Sequence, residues 1–153
     1  MLRISKLTDY GTVVMTYLAR ENDRLHAVSE IAAEIRLAAP TVSKILKQLV
    51  RAGLVASHRG AKGGYALARA PQTISMIEII DALEGRVGLT ECGSSPGLCV
   101  QESLCSIRTN WQRINGAVRE ALAGVTLAEM AAPQPPRLAR APVVFHPRRA
   151  RAV

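Results

Sequence analysis

Residues 40–69, PTVSKILKQLVRAGLVASHRGAKGGYALAR, carry the strongest structural signal in this sequence. Pro40 suits a first helical position, and the apolar residues after it recur at the spacing of one helix face. That stripe consists of Val42, Ile45, Leu46, Leu49 and Val50. Gly53 ends the helix, because glycine readily takes the left-handed conformation that follows many helices. The remainder, 54–69, has apolar ends around a glycine-rich turn and predicts a two-stranded β-hairpin.

Two further helices are predicted before this stretch. Apolar residues recur at helical spacing in 5–20, where Ser5 or Thr8 can cap the first turn. The second helix covers 28–35, with Ser29 as its expected N-cap. Helix, helix, short turn, helix and hairpin is the order of a winged helix-turn-helix. We therefore expect a mainly α fold, a winged helix-turn-helix DNA-binding domain with a two-stranded wing.

A long helix is predicted near the end of the ordered part of the chain, over 106–124. Its apolar residues follow each other at intervals of four and three, as in a coiled coil. This seam consists of Ile107, Trp111, Ile114, Val118, Ala121 and Val125. So narrow a seam packs against one other helix, and we expect that helix to be its own copy in a homodimer. The alternative is packing against its own domain.

These patterns divide the chain into four parts. A winged helix-turn-helix domain spans 1–85 and closes with helix 74–85, which carries a capping box of Ser75 and Glu78. A cysteine-containing loop spans 86–105, and a dimerisation helix with a short following turn spans 106–130. The tail 131–153 is rich in Pro and Arg, and we expect it to be disordered.

The basic charge of the chain is concentrated in blocks. The formal net charge is +8, and residues 35–77 hold seven bases and no acid. The last 21 residues add five Arg without an acid. Such blocks indicate a polyanionic partner, here double-stranded DNA. No apolar run is long enough to cross a bilayer, and the first residues have no signal-peptide core, so a cytoplasmic protein without a membrane partner is expected.

The predicted DNA-binding residues lie on the helix at 40–52 and on the wing. Burying the apolar stripe turns a polar face outward, whose first members would meet base edges in the major groove. The glycines of the hairpin let its tip approach DNA closely, and an Arg there can enter a narrow minor groove. The predicted contacts are Thr41, Ser43, Lys44, Lys47, Arg59, Gly60 and Lys62.

All three cysteines lie in CGSSPGLCVQESLC, residues 92–105. Their spacing, Cys-x6-Cys-x5-Cys, is wider than the knuckles of structural zinc sites, and soft thiolates also select iron–sulfur clusters. The spacing alone leaves a cluster, a zinc site and a thiol redox switch open. No Cys–His pair lies near the loop and no acid–base constellation or phosphate-binding motif is present. An enzyme with a small-molecule substrate is therefore disfavoured.

Several motifs resemble the IscR/NsrR-type winged-helix transcription regulators. They are LTDYG (7–11), RGAKGGYALAR (59–69), DALEG (81–85), the three-cysteine loop, NWQRINGAV (110–118) and TLAEM (126–130). The likeness covers 1–130 and is greatest to the branch that regulates the SUF system of iron–sulfur cluster assembly. It implies a homodimer that binds an iron–sulfur cluster through the loop before the dimerisation helix.

The resemblance also implies the cluster ligands. Cys92, Cys99 and Cys105 match the ligand cysteines, although the first gap is one residue longer here. Arg108 stands where the isc-operon regulator has a ligating His, and an arginine cannot ligate. Asp9 matches the aspartate that the nitric-oxide-sensing branch donates from the partner subunit. Other candidates for a fourth ligand are Glu91, Glu102 and His26.

The expected function is therefore a cluster-sensing repressor that acts on SUF cluster-assembly genes. One alternative is a nitric oxide or redox sensor on the same fold. Another is a zinc-stabilised DNA-binding module without a sensing role.

Overall fold

The computed structural model describes residues 4–60, 62–95, 97 and 99–133. Within these ranges the elements are α1 Lys6–Arg20, α2 Val28–Glu34, α3 Ala39–Arg51, β1 Val55–His58, β2 Gly64–Leu67, α4 Met76–Glu84, α5 Glu91–Ser94, α6 Arg108–Ala123 and α7 Leu127–Ala131, with a short 3-10 helix at Pro71–Thr73. The two strands pair antiparallel. The prediction of a mainly α winged helix-turn-helix is confirmed. The tail predicted to be disordered lies, after Pro133, outside the described residues.

The core is built around the apolar face of α3. Helices α1, α2 and α4 and strand β1 all pack on this helix. Its four central apolar side chains have no exposed area, and they are Val42, Ile45, Leu46 and Leu49. Full burial of such a side chain stabilises a fold by about 1.5–3 kcal/mol. The stripe predicted from the sequence therefore holds α1, α2 and α4 together around α3.

Side-chain caps begin two of the predicted helices where the sequence placed them. Ser5 caps α1 by accepting a hydrogen bond from Thr8 N at 3.3 Å, and Ser75 and Glu78 form the capping box of α4. The N-cap prediction for Ser29 is wrong, because α2 begins after Ala27 without a side-chain cap. The backbone just before Ala27 pairs with the wing, so the chain stays extended up to that residue.

Helix α3 ends in a hydrogen-bonded Schellman motif at Gly53. Gly53 has φ +72°, and its N–H donates to Val50 O at 3.0 Å. The N–H of Leu54 donates to Leu49 O, also at 3.0 Å. These two bonds satisfy carbonyls at the helix end and turn the chain directly into β1.

Helix α2 ends in the same motif, with an arginine at the left-handed position. Arg36 has φ +55°, and its N–H donates to Ala33 O at 3.3 Å. The N–H of Leu37 donates to Ala32 O at 3.0 Å. Left-handed backbone is unfavourable for a residue with a Cβ, so this turn before α3 carries local strain.

After α6 the chain returns to the winged domain. The N–H of Leu127 donates to Ile74 O at 2.8 Å, and that of Met76 donates to Val125 O at 2.9 Å. Leu127 is fully buried, and Arg20 Nε donates to Ala131 O at 2.9 Å. The short turn predicted after the dimerisation helix is therefore a helix, α7, that packs on α1.

Replacing Arg36 by glycine should stabilise the protein. Arg36→Gly removes the left-handed strain at the cost of extra backbone entropy in the unfolded chain, for a net gain of about 0.5–1 kcal/mol. Thermal and denaturant unfolding of the full chain measure it. The matched variant Gly53→Arg places an arginine at the same position of the other Schellman motif and should lose about 1 kcal/mol. A less stable Arg36→Gly protein would contradict the strain.

Candidate DNA-binding surface and cysteine loop

The outward face of α3 forms an open, basic depression of about 420 Å³. Its lining is Pro40, Ser43, Lys44, Lys47, Gln48 and Arg51. Lys44 and Lys47 are exposed, whereas Ser43 and the adjacent Thr41 are half-buried at the start of the helix. The structure thus brings the predicted α3 residues together on one face, with short hydrogen-bonding side chains first and long cations after them.

Few carboxylates neutralise the basic block of residues 35–77. Among the described residues, Arg69 is the member of that block that forms an ion pair, with its Nη2 2.6 Å from Glu78 Oε1. The exposed cations of α3 and of the wing have no acidic partner in this part of the chain. Their charge is therefore available to phosphates.

The wing is a short hairpin whose tip is built by glycines. Gly63 N donates to Gly60 O at 2.9 Å, and Gly60 has φ +111°. A Cβ at Gly63 would lie 2.2 Å from His58 O, so no larger residue fits the turn. Arg59 and Lys62, both exposed, flank this tip. The predicted wing residues are therefore presented together at the end of the hairpin.

His26 fastens the base of the wing to the helices. Its backbone exchanges two hydrogen bonds with Tyr65, at 2.9 and 3.0 Å. Its fully buried ring has Nε2 2.7 Å from Glu21 O, and Nδ1 lies 3.3 Å from Tyr17 Oη and 3.4 Å from a Glu30 carboxylate oxygen. Both ring nitrogens thus have protein neighbours, a packing role that accounts for His26 without a metal.

Glu30, beside this ring, is held in its ionised form. A side-chain hydrogen bond from Arg24 is the main reason that the pKa of Glu30 falls to about 2, with a smaller contribution from His26. Desolvation acts in the opposite direction and is outweighed.

The three cysteines lie at separate places in the loop between α4 and α6. Cys92 is in α5, where its Sγ is 3.3 Å from Thr90 Oγ1, and Cys99 and Cys105 lie in the turns before α6. All three thiols are free and half-buried. Over the residues that the structure describes, no three Cys, His, Asp or Glu side chains are grouped as a metal site. One loop carries all three thiols, but they do not form one ligand cluster.

The acidic candidates for a fourth ligand differ in their surroundings. Asp9 is exposed on the first turn of α1, beside a depression that it lines with Ile4, Ser5 and Lys6. Glu91 is exposed at the first position of α5. A ligand role for Asp9 from the partner subunit stays a prediction.

Glu102 and Arg108 form a bridge that sequence reasoning missed. Arg108 Nη2 lies 2.7 Å from Glu102 Oε1, and the N–H of Gly97 donates to Glu102 Oε2 at 2.6 Å. The Glu102 side chain is only 11% exposed. Because this carboxylate ties the turn at Gly97 to the start of α6, it orders the segment that carries Cys99 and Cys105.

Asn115 is the second contact that sequence reasoning missed. It is the one buried residue among those described in α6, at 7% exposure. Its Oδ1 accepts from Leu89 N, and its Nδ2 donates to Gly93 O, both at 3.2 Å. Asn115 lies beside the seam and not in it, and its partners are distant in sequence, so no local signal marked this contact.

Arg119, one turn further along α6, joins the helix to the winged domain. Its Nη2 and Nη1 lie 2.8 and 3.1 Å from the two oxygens of Asp81 in α4, and Nη1 also donates to Val87 O at 3.3 Å. Val87 N in turn donates to Asp81 Oδ1 at 2.9 Å. Burial alone would raise the pKa of Asp81, but the bonds from Arg119 and Val87 outweigh it and lower that pKa.

The α6 seam is left open on the surface of the chain. Ile107, Ile114 and Trp111 are 52%, 46% and 36% exposed, and Val118 is half-buried. Leu104 and Val100, before the helix, are 90% and 98% exposed. The alternative of packing against its own domain is therefore wrong for most of the seam. Several exposed apolar side chains on one segment are typical of an interaction site.

Known proteins match this chain over most of its length. A family model described as "Rrf2: Iron-dependent Transcriptional regulator" matches residues 4–133. The HTH-type transcriptional regulator CymR of Bacillus subtilis is 33% identical over 131 residues, covering 85% of this chain and 90% of CymR. The HTH-type transcriptional regulator NsrR of Halalkalibacterium halodurans is 27% identical over 123 residues, covering 79% and 80%.

Solved structures of similar regulators share the fold of this chain. The structure of CymR, the global cysteine regulator of B. subtilis, has a TM-score of 0.67 at 33% identity and covers 86% of this chain and 97% of its own. T. potens IscR has a TM-score of 0.61 at 32% identity, with coverage of 84% and 85%.

The family and these relatives are transcription regulators and not enzymes. No helix of the described ranges is long and apolar enough to cross a membrane. The resemblance to IscR/NsrR-type regulators is confirmed. Because the family match covers residues 4–133, from the first helix to the end of α7, this chain belongs to the Rrf2 family of transcriptional regulators.

Proposed function

We propose that this chain is a homodimeric repressor that acts in the cytoplasm, senses iron–sulfur cluster status and controls SUF-type cluster-assembly genes. The observation that carries the proposal is the loop with three free, half-buried thiols between a winged helix-turn-helix domain and the exposed apolar seam of α6. The description of the family as iron-dependent and the similarity to IscR and NsrR support it.

The donor set suits a cluster in its chemistry. Cys92, Cys99 and Cys105 would hold it, because thiolates are the usual ligands of iron–sulfur clusters. Asp9 of the partner subunit would supply the fourth ligand. When bound, such a cluster would supply iron sites that react with oxygen or nitric oxide. Iron limitation would lower the occupancy of these sites. Since the three described thiols are not grouped as a metal site, Cys99 and Cys105 would have to move relative to Cys92 when all three bind together.

A thiol redox or nitric oxide sensor is the second candidate. The separation of the three cysteines favours it, because free thiols that need not meet can be oxidised or nitrosylated singly. The solved CymR relative is described as a cysteine regulator, and another solved CymR structure is of an oxidised form. A zinc-stabilised module without sensing is the third candidate, and it would be colourless.

Anaerobically purified protein should be brown and contain iron and sulfide. Cys99→Ser should lose most of this visible absorption, because a cluster needs its thiolates. Asp9→Ala should shift the spectrum without abolishing it, since only one ligand changes. Ultraviolet–visible spectra with iron and sulfide assays measure both effects.

Asp23→Ala is the control for Asp9, because Asp23 is an exposed acid in the turn after α1. It should leave the spectrum unchanged. A colourless protein that cannot be reconstituted with iron and sulfide would contradict the cluster proposal and favour the thiol sensor. A stoichiometric zinc content would favour the zinc-stabilised module.

We also propose that α3 and the wing contact DNA through the seven predicted residues. Lys47→Ala and Arg59→Ala should each weaken DNA binding about tenfold. Each should also reduce the slope of log affinity against log salt concentration by about the amount of one phosphate contact. Arg59→Ala should in addition reduce a preference for A·T-rich flanks. Fluorescence anisotropy on a duplex that the wild-type protein selects from a random pool measures affinity against salt.

Arg113→Ala is the matched control, because Arg113 is an exposed arginine of α6 outside the basic block. Its affinity and salt slope should equal those of the wild type. Equal affinity of Arg59→Ala and the wild type would remove the wing from the DNA contact.

Trp111→Glu should break the dimer. A charge placed in the centre of the α6 seam cannot be buried without a partner, so the dissociation constant should rise by about thirtyfold or more. Sedimentation velocity over a concentration series measures it. Gln112→Glu adds the same charge one residue off the seam and should remain dimeric, whereas a dimeric Trp111→Glu would show that another surface joins the subunits.

A further inference from the structure

The loop between α4 and α6 is held at two separate points. One consists of Asn115, Leu89 and Gly93, and it fixes the part of the loop that carries Cys92. The other consists of Glu102, Gly97 and Arg108, and it fixes the part that carries the two later cysteines. We name these the Asn115 clamp and the Glu102 bridge.

The Asn115 clamp matches an amide side chain to two backbone groups. The carboxamide offers one acceptor and one donor, and Leu89 N and Gly93 O use one each. An aspartate at this position could only accept, and an aliphatic residue could do neither. Since Asn115 is 7% exposed and both of its hydrogen bonds are part-buried, loss of the amide would also leave part-buried backbone groups without partners.

Two glycines allow the backbone to pack this closely. A Cβ at Gly93 would lie 3.3 Å from Asn115 Cγ, and a Cβ at Gly88 would lie 2.3 Å from Ser94 N. The segment before α5 therefore passes directly against α5, and α5 lies directly against α6. Cys92, in the first turn of α5, is part of this closely packed unit.

The clamp continues into the winged domain. Arg119 is four residues after Asn115 and therefore on the same face of α6. It binds Asp81 of α4 and the carbonyl of Val87, two residues before Leu89. The position of Cys92 is thus set by hydrogen bonds that reach α6 and α4 together.

We propose that Asn115 is a positioning residue that fixes the location of Cys92 relative to α6 and α4. Cys99 and Cys105 form a pair that is anchored separately, by the Glu102 bridge. The Cys92 thiol then serves as the fixed ligand, and the pair moves to it as one unit when all three bind together. The part that concerns ligands rests on the proposed cluster-sensing function, whereas the separate anchoring does not.

Residue-specific alkylation tests the separate anchoring on the full, reduced, cluster-free chain. Iodoacetamide labelling followed by mass spectrometry gives a rate for each cysteine. Asn115→Ala should accelerate labelling of Cys92 by about tenfold, because two part-buried hydrogen bonds are lost and local opening becomes easier. Labelling of Cys99 and Cys105 should stay within about twofold of the wild type.

Glu102→Ala should give the reverse pattern, with faster labelling of Cys99 and Cys105 and an unchanged rate at Cys92. Asn110→Ala is the control on α6, because Asn110 is exposed, and it should change no rate. Gly93→Ala acts on the clamp from the loop side and should reproduce the effect at Cys92 if Asn115→Ala does not fold. Equal acceleration of all three thiols, or an unchanged Cys92 in both clamp variants, would overturn the proposal.

Cluster reconstitution tests the part that concerns ligands. Asn115→Ala should take up iron and sulfide more slowly and show a smaller difference in DNA affinity between its loaded and cluster-free forms, with unchanged affinity in the cluster-free form. Normal uptake and an unchanged difference would overturn the ligand role. If wild-type protein takes up no cluster, the proposed function fails, and the alkylation pattern still decides the anchoring.

Discussion

Burial of the apolar stripe of α3 is the constraint on which the rest of this structure depends. The stripe fills the space between α1, α2 and α4, so its opposite face must point to solvent. That opposite face carries the cations of the basic block, and no acid lines it. A packing requirement thus places a basic charge pattern on the surface, of the kind that DNA binding needs. The same helix ends at Gly53, whose left-handed turn directs the chain into the wing, so the end of the packed helix also decides where the wing begins.

Local signals predicted the elements whose contacts are close in sequence. The α3 stripe, the glycine turn of the wing and the capping box at Ser75 each depend on residues a few positions apart, and all three were found in the structure. The N-cap at Ser29 failed because pairing of the preceding residue with the wing decides where α2 starts. Asn115 and the Glu102 bridge were missed because their partners are fixed only by the fold. The side chains that organise the cysteine loop belong largely to this second group.

The cysteine loop combines little regular structure with firm attachment at its ends. Among the described residues of the loop the one regular element is the four-residue α5, and the described turns around Cys99 are held by single hydrogen bonds. Segments of this kind open at low cost, which suits a site that must gain and lose a ligand. A loop attached nowhere could not transmit that change, because its movement would displace nothing else. The hydrogen bonds from Asn115 and Arg119 supply the attachment on the side of the DNA-binding domain.

Linkage sets the condition that any sensor of this design must meet. If occupation of the loop changes affinity for DNA, then DNA must change affinity for the occupant by the same factor. Both sites would therefore have to bias a shared arrangement. The described helices join the loop to the basic face, because α6 contacts α4 and α4 contacts α3. Asp81 accepts from Arg119 on α6 and from the backbone of Val87 in the loop, and its helix α4 packs on α3 beneath the basic face. A movement of α5 that shifts α6 would act on this carboxylate, and through α4 it could reach α3. The bidentate pair of Asp81 and Arg119 is directional and partly buried, so it would resist a small rotation of α6 relative to α4. Helix α4 would then move together with α6. A change at the thiols can in this way reach the DNA-binding helix through rigid elements, without rearrangement of the winged core.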